Sequence, residues 1–189
     1  MSGAGTVEGD EAVRLFCALT LPGEALDALV EWQAALPRGG FRLVPRENLH
    51  VTLVFLGRRP RGDVPAIAAE LDAAARTAAP IVLRPRGYRE TRSVGMVVFD
   101  DEGGAATALA TDLHGRLHRL GLYEPERRRW LPHLTVVRFR ERPRLDPAVP
   151  DLGAVAPSGA AVYISRLRPG GAQYAVVHEY DFQRASLGG

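Results

Sequence analysis

Two short stretches of this chain carry the same triplet of histidine, an apolar residue and threonine: His50-Val51-Thr52 and His133-Leu134-Thr135. Each lies in an otherwise apolar run with the length and composition of a strand. Side chains alternate across a strand, so the imidazole and hydroxyl of each box share one face. Val51 and Leu134 point to the other. Each box strand must therefore bury one face and turn the other toward a cleft. Each box also follows a helix and a connection, which is consistent with a duplicated unit. Outside the boxes the two halves show no obvious similarity.

The rest of the chain supplies the frame. Residues 14–20 read as a buried strand, and Pro22 suits the first turn of a helix carrying Ala25, Leu29, Trp32 and Leu36. A short strand over 41–44 leads to the first box strand, 50–56, which Gly57 ends, and 60–63 is a loop. Ile67, Leu71, Ala74 and Ala78 mark a second helix, stopped by Pro80. Strands follow over 81–89 and 94–99. A third helix after Gly103-Gly104 bears Leu109, Leu113, Leu117 and Leu120, and the second box strand spans 133–140. Prolines punctuate an irregular connection as far as Pro157. Residues 161–167 and 173–182 form a last antiparallel pair around Pro169-Gly170-Gly171. This order predicts an α+β fold with antiparallel sheets rather than a doubly wound parallel one. No Gly-rich dinucleotide fingerprint follows the first strand. Residues 1–12, glycine-rich and acidic, are expected to be a flexible tail, and 13–189 a single domain.

Composition removes several chemistries. All 24 basic residues are arginine, so no lysine can form a Schiff base or serve as a P-loop phosphate ligand. Cys17 is the only cysteine, and its place in the first strand makes it a buried, inert thiol. No signal peptide and no membrane-length apolar run is visible, and the expected location is the cytoplasm. Arg84, Arg86, Arg89 and Arg92 form one cluster, and Arg127 to Arg129 with Arg138, Arg140, Arg142 and Arg144 another. Such runs read first as solvated faces, although guanidinium groups also suit phosphate.

Two boxes across a cleft give two groups that titrate near neutrality, one accepting a proton while the other donates. The threonine hydroxyls can hold the non-bridging oxygens of a phosphate. This is what acid–base hydrolysis of a phosphodiester needs, without a metal or a covalent intermediate. A metal site as a rule takes three ligands, and the boxes supply two with no adjacent carboxylate or cysteine. His114 and His118 share a helical face and read as surface or boundary residues, and His178 has no assigned role. Phe55, Tyr123 and Trp130 lie near the boxes and could stack on a base, with core packing the expected job of Phe55 and Trp130.

The residues around the boxes carry a family resemblance. Glu47-Asn48-Leu49-His50-Val51-Thr52-Leu53-Val54-Phe55-Leu56-Gly57 and Trp130-Leu131-Pro132-His133-Leu134-Thr135-Val136-Val137-Arg138 resemble the two signatures of the 2H phosphoesterase superfamily, with Trp130 where Phe is more usual. The branch is that of the RNA 2′,3′-cyclic phosphodiesterases, historically called 2′-5′ RNA ligases. The opening strand, Arg14 to Leu19, and the closing segment, Ser165-Arg166-Leu167 to Gly171-Ala172-Gln173-Tyr174, are similar to the family's as well. The resemblance implies two pseudo-twofold-related lobes whose antiparallel sheets line a central cleft. It also implies hydrolysis of a terminal 2′,3′-cyclic phosphate to a 2′-phosphate. His133 would be the base that activates water and His50 the acid that protonates ribose O3′. Thr52, Thr135 and Arg138 would bind the phosphate. Strict alternation points Arg138 away from His133, so it needs a twist, a bulge or a strand end to reach the site. Running the proton transfers in reverse would permit 2′-5′ ligation without ATP. The partner is an RNA end with a 2′,3′-cyclic phosphate or a small cyclic nucleotide. No cofactor, metal, membrane or obligate protein partner is implied, and the chain is expected to be a monomer. Two alternatives are a phosphodiesterase of small cyclic nucleotides or 2′,5′-oligonucleotides, and a non-catalytic RNA-end binding module.

Overall fold

The computed structural model describes residues 11–169 and 171–186. The expected tail therefore falls almost wholly outside the described residues, as does Gly170 of the last turn. The elements are β1 (Ala12–Thr20), α1 (Gly23–Ala34), β2 (Phe41–Leu43), β3 (Val51–Pro60), α2 (Val64–Arg76), β4 (Val82–Glu90), β5 (Val94–Glu102), α3 (Ala105–Arg119), β6 (His133–Phe139), β7 (Gly159–Arg168), β8 (Gly171–Asp181) and α4 (Phe182–Ser186). Ala12, placed in the tail by composition, opens β1. Pro22 is the N-cap of α1, not part of its first turn.

The strands make one curled antiparallel sheet in the order β4-β5-β6-β3-β1-β7-β8, with β2 alongside β6. Helices cover one face. α2 buries Ile67, Leu71, Ala74 and Ala75, and α3 buries Leu109, Leu113 and Leu117. α1 adds Ala25 and Leu29. Each such leucine or isoleucine taken fully out of water contributes about 2 kcal/mol, so the helical stripes tie the convex side of the sheet down. β1 is apolar on both faces for a structural reason. Leu15, Cys17 and Leu19 join the main core, whereas Phe16 and Ala18 belong to a smaller cluster with Ala161 and Tyr163. Burial raises the Cys17 thiol pKa to about 12, so it is an inert core residue.

Two lobes meet in the middle of the sheet. β3 and β6 are joined by the pair Val51↔Leu134. These are the central residues of the two boxes, so a pseudo-twofold axis passes between them and exchanges one box for the other.

Candidate active site

Val51 and Leu134 are fully buried, which turns their box neighbours to the opposite face. Antiparallel pairing at this point sets His50 alongside Thr135 and Thr52 alongside His133. The result is a square with the imidazoles on one diagonal and the hydroxyls on the other. All four side chains line one cavity of about 300 Å³, together with Arg138. The structure thus brings together all five residues singled out in the sequence.

Arg138 reaches the cavity through a β-bulge. Against β5, Thr135 pairs with Met96 and Val137 with Gly95, which leaves Val136 as the extra residue. Val136 and Val137 are both buried, and Arg138 returns to the face of His133 and Thr135. Gly95 permits the bulge, since a Cβ there would meet Val137 Cγ2 at 2.6 Å. On the convex side, Gln33 of α1 is 3% exposed. Its amide donates to the main-chain oxygens of Val44, at 3.0 Å, and of Val136, at 2.6 Å.

The first box repeats the device. Thr52 pairs with Ala18 and Val54 with Cys17, so Leu53 is the extra residue and Phe55 swings to the cleft. Phe55 is 64% exposed. The expectation that it packs in the core is corrected by this bulge: Leu53 and Val54 take the buried positions in succession. Phe55 and Arg138, each five residues after its histidine, are pseudo-twofold counterparts. A second bulge at Leu56 carries β3 past Gly57, whose φ of +70° suits glycine. The strand therefore runs on to Pro60 instead of ending there.

Both imidazoles are held from behind. His133 Nδ1 lies 2.8 Å from Leu131 O, and since a carbonyl only accepts, Nδ1 carries the proton and Nε2 is free for the cleft. His50 is likewise hydrogen-bonded to the main chain of Asn48, two residues upstream. Their surroundings differ. His50 stacks on Phe16, with ring centroids 4.9 Å apart, and on Tyr163 at 5.7 Å, while Tyr174 meets it edge-on at 5.4 Å. Burial in this cage lowers the His50 pKa to about 4, against the opposing pull of the Asn48 bond and with help from the charges of Arg138 and His133. Among the described residues no ring stacks on His133.

Sequence reasoning missed this cage. The signal was the unbroken apolar run of β1, which marks a strand buried on both faces. It also missed Arg42, which lines the cavity directly across β2–β6 from Arg138. Two guanidinium groups on paired positions repel one another, and an anion between them relieves that cost.

The other candidates have structural work. His114 Nε2 bonds Leu53 O at 2.8 Å and its ring packs on Tyr123, which is itself buried. His118 Nδ1 bonds Tyr123 O at 3.1 Å. His178 Nε2 pairs with Asp72 Oδ1 of α2 at 2.7 Å, joining β8 to that helix. Arg86 faces Asp100 at 3.3 Å and Arg84 pairs with Glu102, so that part of the arginine cluster is a solvated face. Trp130 is half-buried, its indole committed to Thr52 O.

A fold of two lobes sharing a sheet, with a His-x-Thr box from each beside a phosphate-sized cleft, defines the LigT-like, or 2H, phosphoesterases, and the chain belongs to this family. Residues 19–89 match the family model described as LigT like Phosphoesterase. An RNA 2′,3′-cyclic phosphodiesterase of Thermus thermophilus is 34% identical over 182 residues, covering 90% of this chain and 91% of that protein. A crystal structure of a Thermus thermophilus protein has a TM-score of 0.78 at 32% identity, covering 90% of this chain and 98% of the other. The apo structure of E. coli LigT, at 24% identity and the same coverages, has a TM-score of 0.76 and shares the fold. No helix among the described residues is long and apolar enough to cross a membrane.

Proposed function

We propose that the chain is an RNA 2′,3′-cyclic phosphodiesterase, hydrolysing a terminal 2′,3′-cyclic phosphate to a 2′-phosphate with His50 and His133 as its acid–base pair and no metal. The observation that carries this reading is the square of box side chains with Arg138 turned onto the same face. A cyclic phosphate seated over the square has the hydroxyls of Thr52 and Thr135 for its non-bridging oxygens and Arg138 for its charge. Water on the far side gives its proton to His133 Nε2 as its oxygen bonds to phosphorus. The P–O3′ bond breaks, and His50 passes its proton to O3′.

The low proton affinity of His50 in the open cleft fits this role once the substrate's charge is counted. An anion beside the ring favours its protonated form, so His50 gains its proton as the phosphate arrives, and a weakly basic imidazole then releases it readily. Two imidazoles with no third ligand suit proton transfer better than a divalent ion. Among the described residues no three of His, Cys, Asp or Glu gather as a metal would require. The substrate class agrees with the name of the Thermus relative. In this reading the chain from Val13 onward works as one bilobal domain, a cytoplasmic monomer without an obligate partner.

The test is incubation with RNA ending in a 2′,3′-cyclic phosphate, in EDTA, with identification of the product. A 2′-phosphate formed at an undiminished rate supports the reading, and loss of activity in EDTA sinks the metal-free mechanism. A 3′-phosphate product would reverse the leaving group. Faster turnover of a small cyclic nucleotide or a 2′,5′-oligonucleotide would move the substrate class and leave the histidine pair in place.

A further inference from the structure

Beside the catalytic cleft lies a second cavity, of about 440 Å³, that shares Thr52, Phe55 and His133 with it but not His50. The volume is in the range that holds a nucleotide-sized ligand. Phe55, with 64% of its surface exposed, stands between the two cavities as a common wall. Arg89, Arg128 and Arg129 line the second cavity, all exposed. None of the three forms an ion pair among the described residues. Of the lining carboxylates, Glu90 is occupied by Arg142 Nε at 2.9 Å and by the main-chain N–H groups of Arg144 and Leu145. Glu126 is the other. The cavity is therefore net cationic beside an exposed aromatic face, a combination that suits a nucleic acid strand with its phosphates on arginine and a base on the ring.

Its position fixes which strand. Resting on the proposed hydrolysis, His50 serves the departing O3′ and so marks the side of the terminal ribose, while His133 serves the attacking oxygen. The second cavity opens on His133 alone. We propose that it is an acceptor site for the 5′-hydroxyl end of an RNA strand, which takes the place of water at His133. The 5′-hydroxyl gives its proton to His133 Nε2 and its oxygen bonds to phosphorus. The P–O3′ bond breaks, and His50 protonates O3′. Phosphorus stays on O2′, so the product is a 2′,5′-phosphodiester, and the bond energy of the opened cyclic phosphate replaces a nucleotide cofactor. The same cavity holds the departing strand when a 2′,5′ linkage is cleaved.

The experiment gives the full-length protein an RNA with a 2′,3′-cyclic phosphate end and increasing amounts of a 5′-hydroxyl oligonucleotide, scoring hydrolysed and 2′,5′-joined product together. Joining should saturate with acceptor and fall steeply with salt, as contacts to backbone phosphates require. In R128A/R129A the ratio of joining to hydrolysis at a fixed, subsaturating acceptor concentration should drop by about 10-fold or more. R84A, whose guanidinium pairs with Glu102 on the outer face, should leave that ratio alone. Hydrolysis with joining that never saturates, or a ratio unmoved in R128A/R129A, overturns the acceptor site and leaves the hydrolase standing. Equal loss of both products in R128A/R129A also overturns it, by assigning the cavity to the cyclic-phosphate strand. A wild-type protein that neither hydrolyses nor joins removes the proposed function, and the acceptor site with it.

Discussion

The indole Nε1 of Trp130 donates a hydrogen bond to the main-chain oxygen of Thr52 at 2.9 Å, tying the approach to the second box directly to the first. With the Val51↔Leu134 pair it holds the boxes in register across the lobe boundary. Trp130→Phe keeps a ring in place and removes the donor, leaving a part-buried carbonyl without this partner. The variant should lose about 1 kcal/mol in urea unfolding and keep hydrolysis within a few-fold, because the strand pair remains. A variant as stable as wild type would show that the indole bond is not a structural tie.

His50 should titrate in the free protein near its lowered pKa of about 4, followed as an NMR shift of the ring protons. Added inorganic phosphate should move that midpoint upward, because the anion favours the imidazolium. The same shift sets a pH dependence of stability. The folded pKa lies below the unfolded value of 6.5, so between about 6.5 and 4 the unfolded chain binds more protons. Stability attributable to His50 is thus complete above about pH 6.5 and is lost as pH falls through about 4, on the order of 3 kcal/mol in total. His50→Gln should flatten that part of the stability profile. A slope unchanged in the variant would place the titration elsewhere.

His50→Ala and His133→Ala should each lower the rate of cyclic phosphate hydrolysis by more than about 100-fold, the low end for general acid–base groups. Arg138→Ala should act chiefly on substrate binding, raising KM by roughly 10-fold through loss of a charge-assisted contact. It should also raise the His50 pKa, since the Arg138 charge is one of the groups that lower it. Activity retained in either histidine variant would refute the pair. A normal KM in the arginine variant would remove Arg138 from the phosphate site.

What the sequence made legible, and what it did not, divides at the bulges. Alternation alone put His50, Thr52, His133 and Thr135 on reactive faces, because Val51 and Leu134 sit in unbroken stretches of strand. Two residues further on, alternation fails in both boxes: it points Arg138 away from the cleft and Phe55 into the core. The extra residues Leu53 and Val136 reverse the phase, and nothing in their own side chains marks them. For the second box the causes lie elsewhere in the chain, in the absence of a Cβ at Gly95 and in the amide of Gln33. The cage around His50 was hidden for a similar reason, since Phe16, Tyr163 and Tyr174 come from β1, β7 and β8 and meet only through sheet order.

Gln33 offers the test of whether the bulge positions Arg138. Its amide donates to Val44 O and to Val136 O, and Val136 O also accepts the Val44 N–H at 2.9 Å. Gln33→Leu preserves most of the volume, leaves Val44 O without that donor and loosens the bulge from α1. Stability should fall by about 1–3 kcal/mol, the range for a buried polar group losing its partner. A merely structural glutamine would stop there. A positioning role requires more: KM for the cyclic phosphate should rise as it does in Arg138→Ala. The two changes should also be non-additive, the double variant binding substrate no worse than Arg138→Ala alone. Additive losses would show that Gln33 supports the fold without setting the place of Arg138.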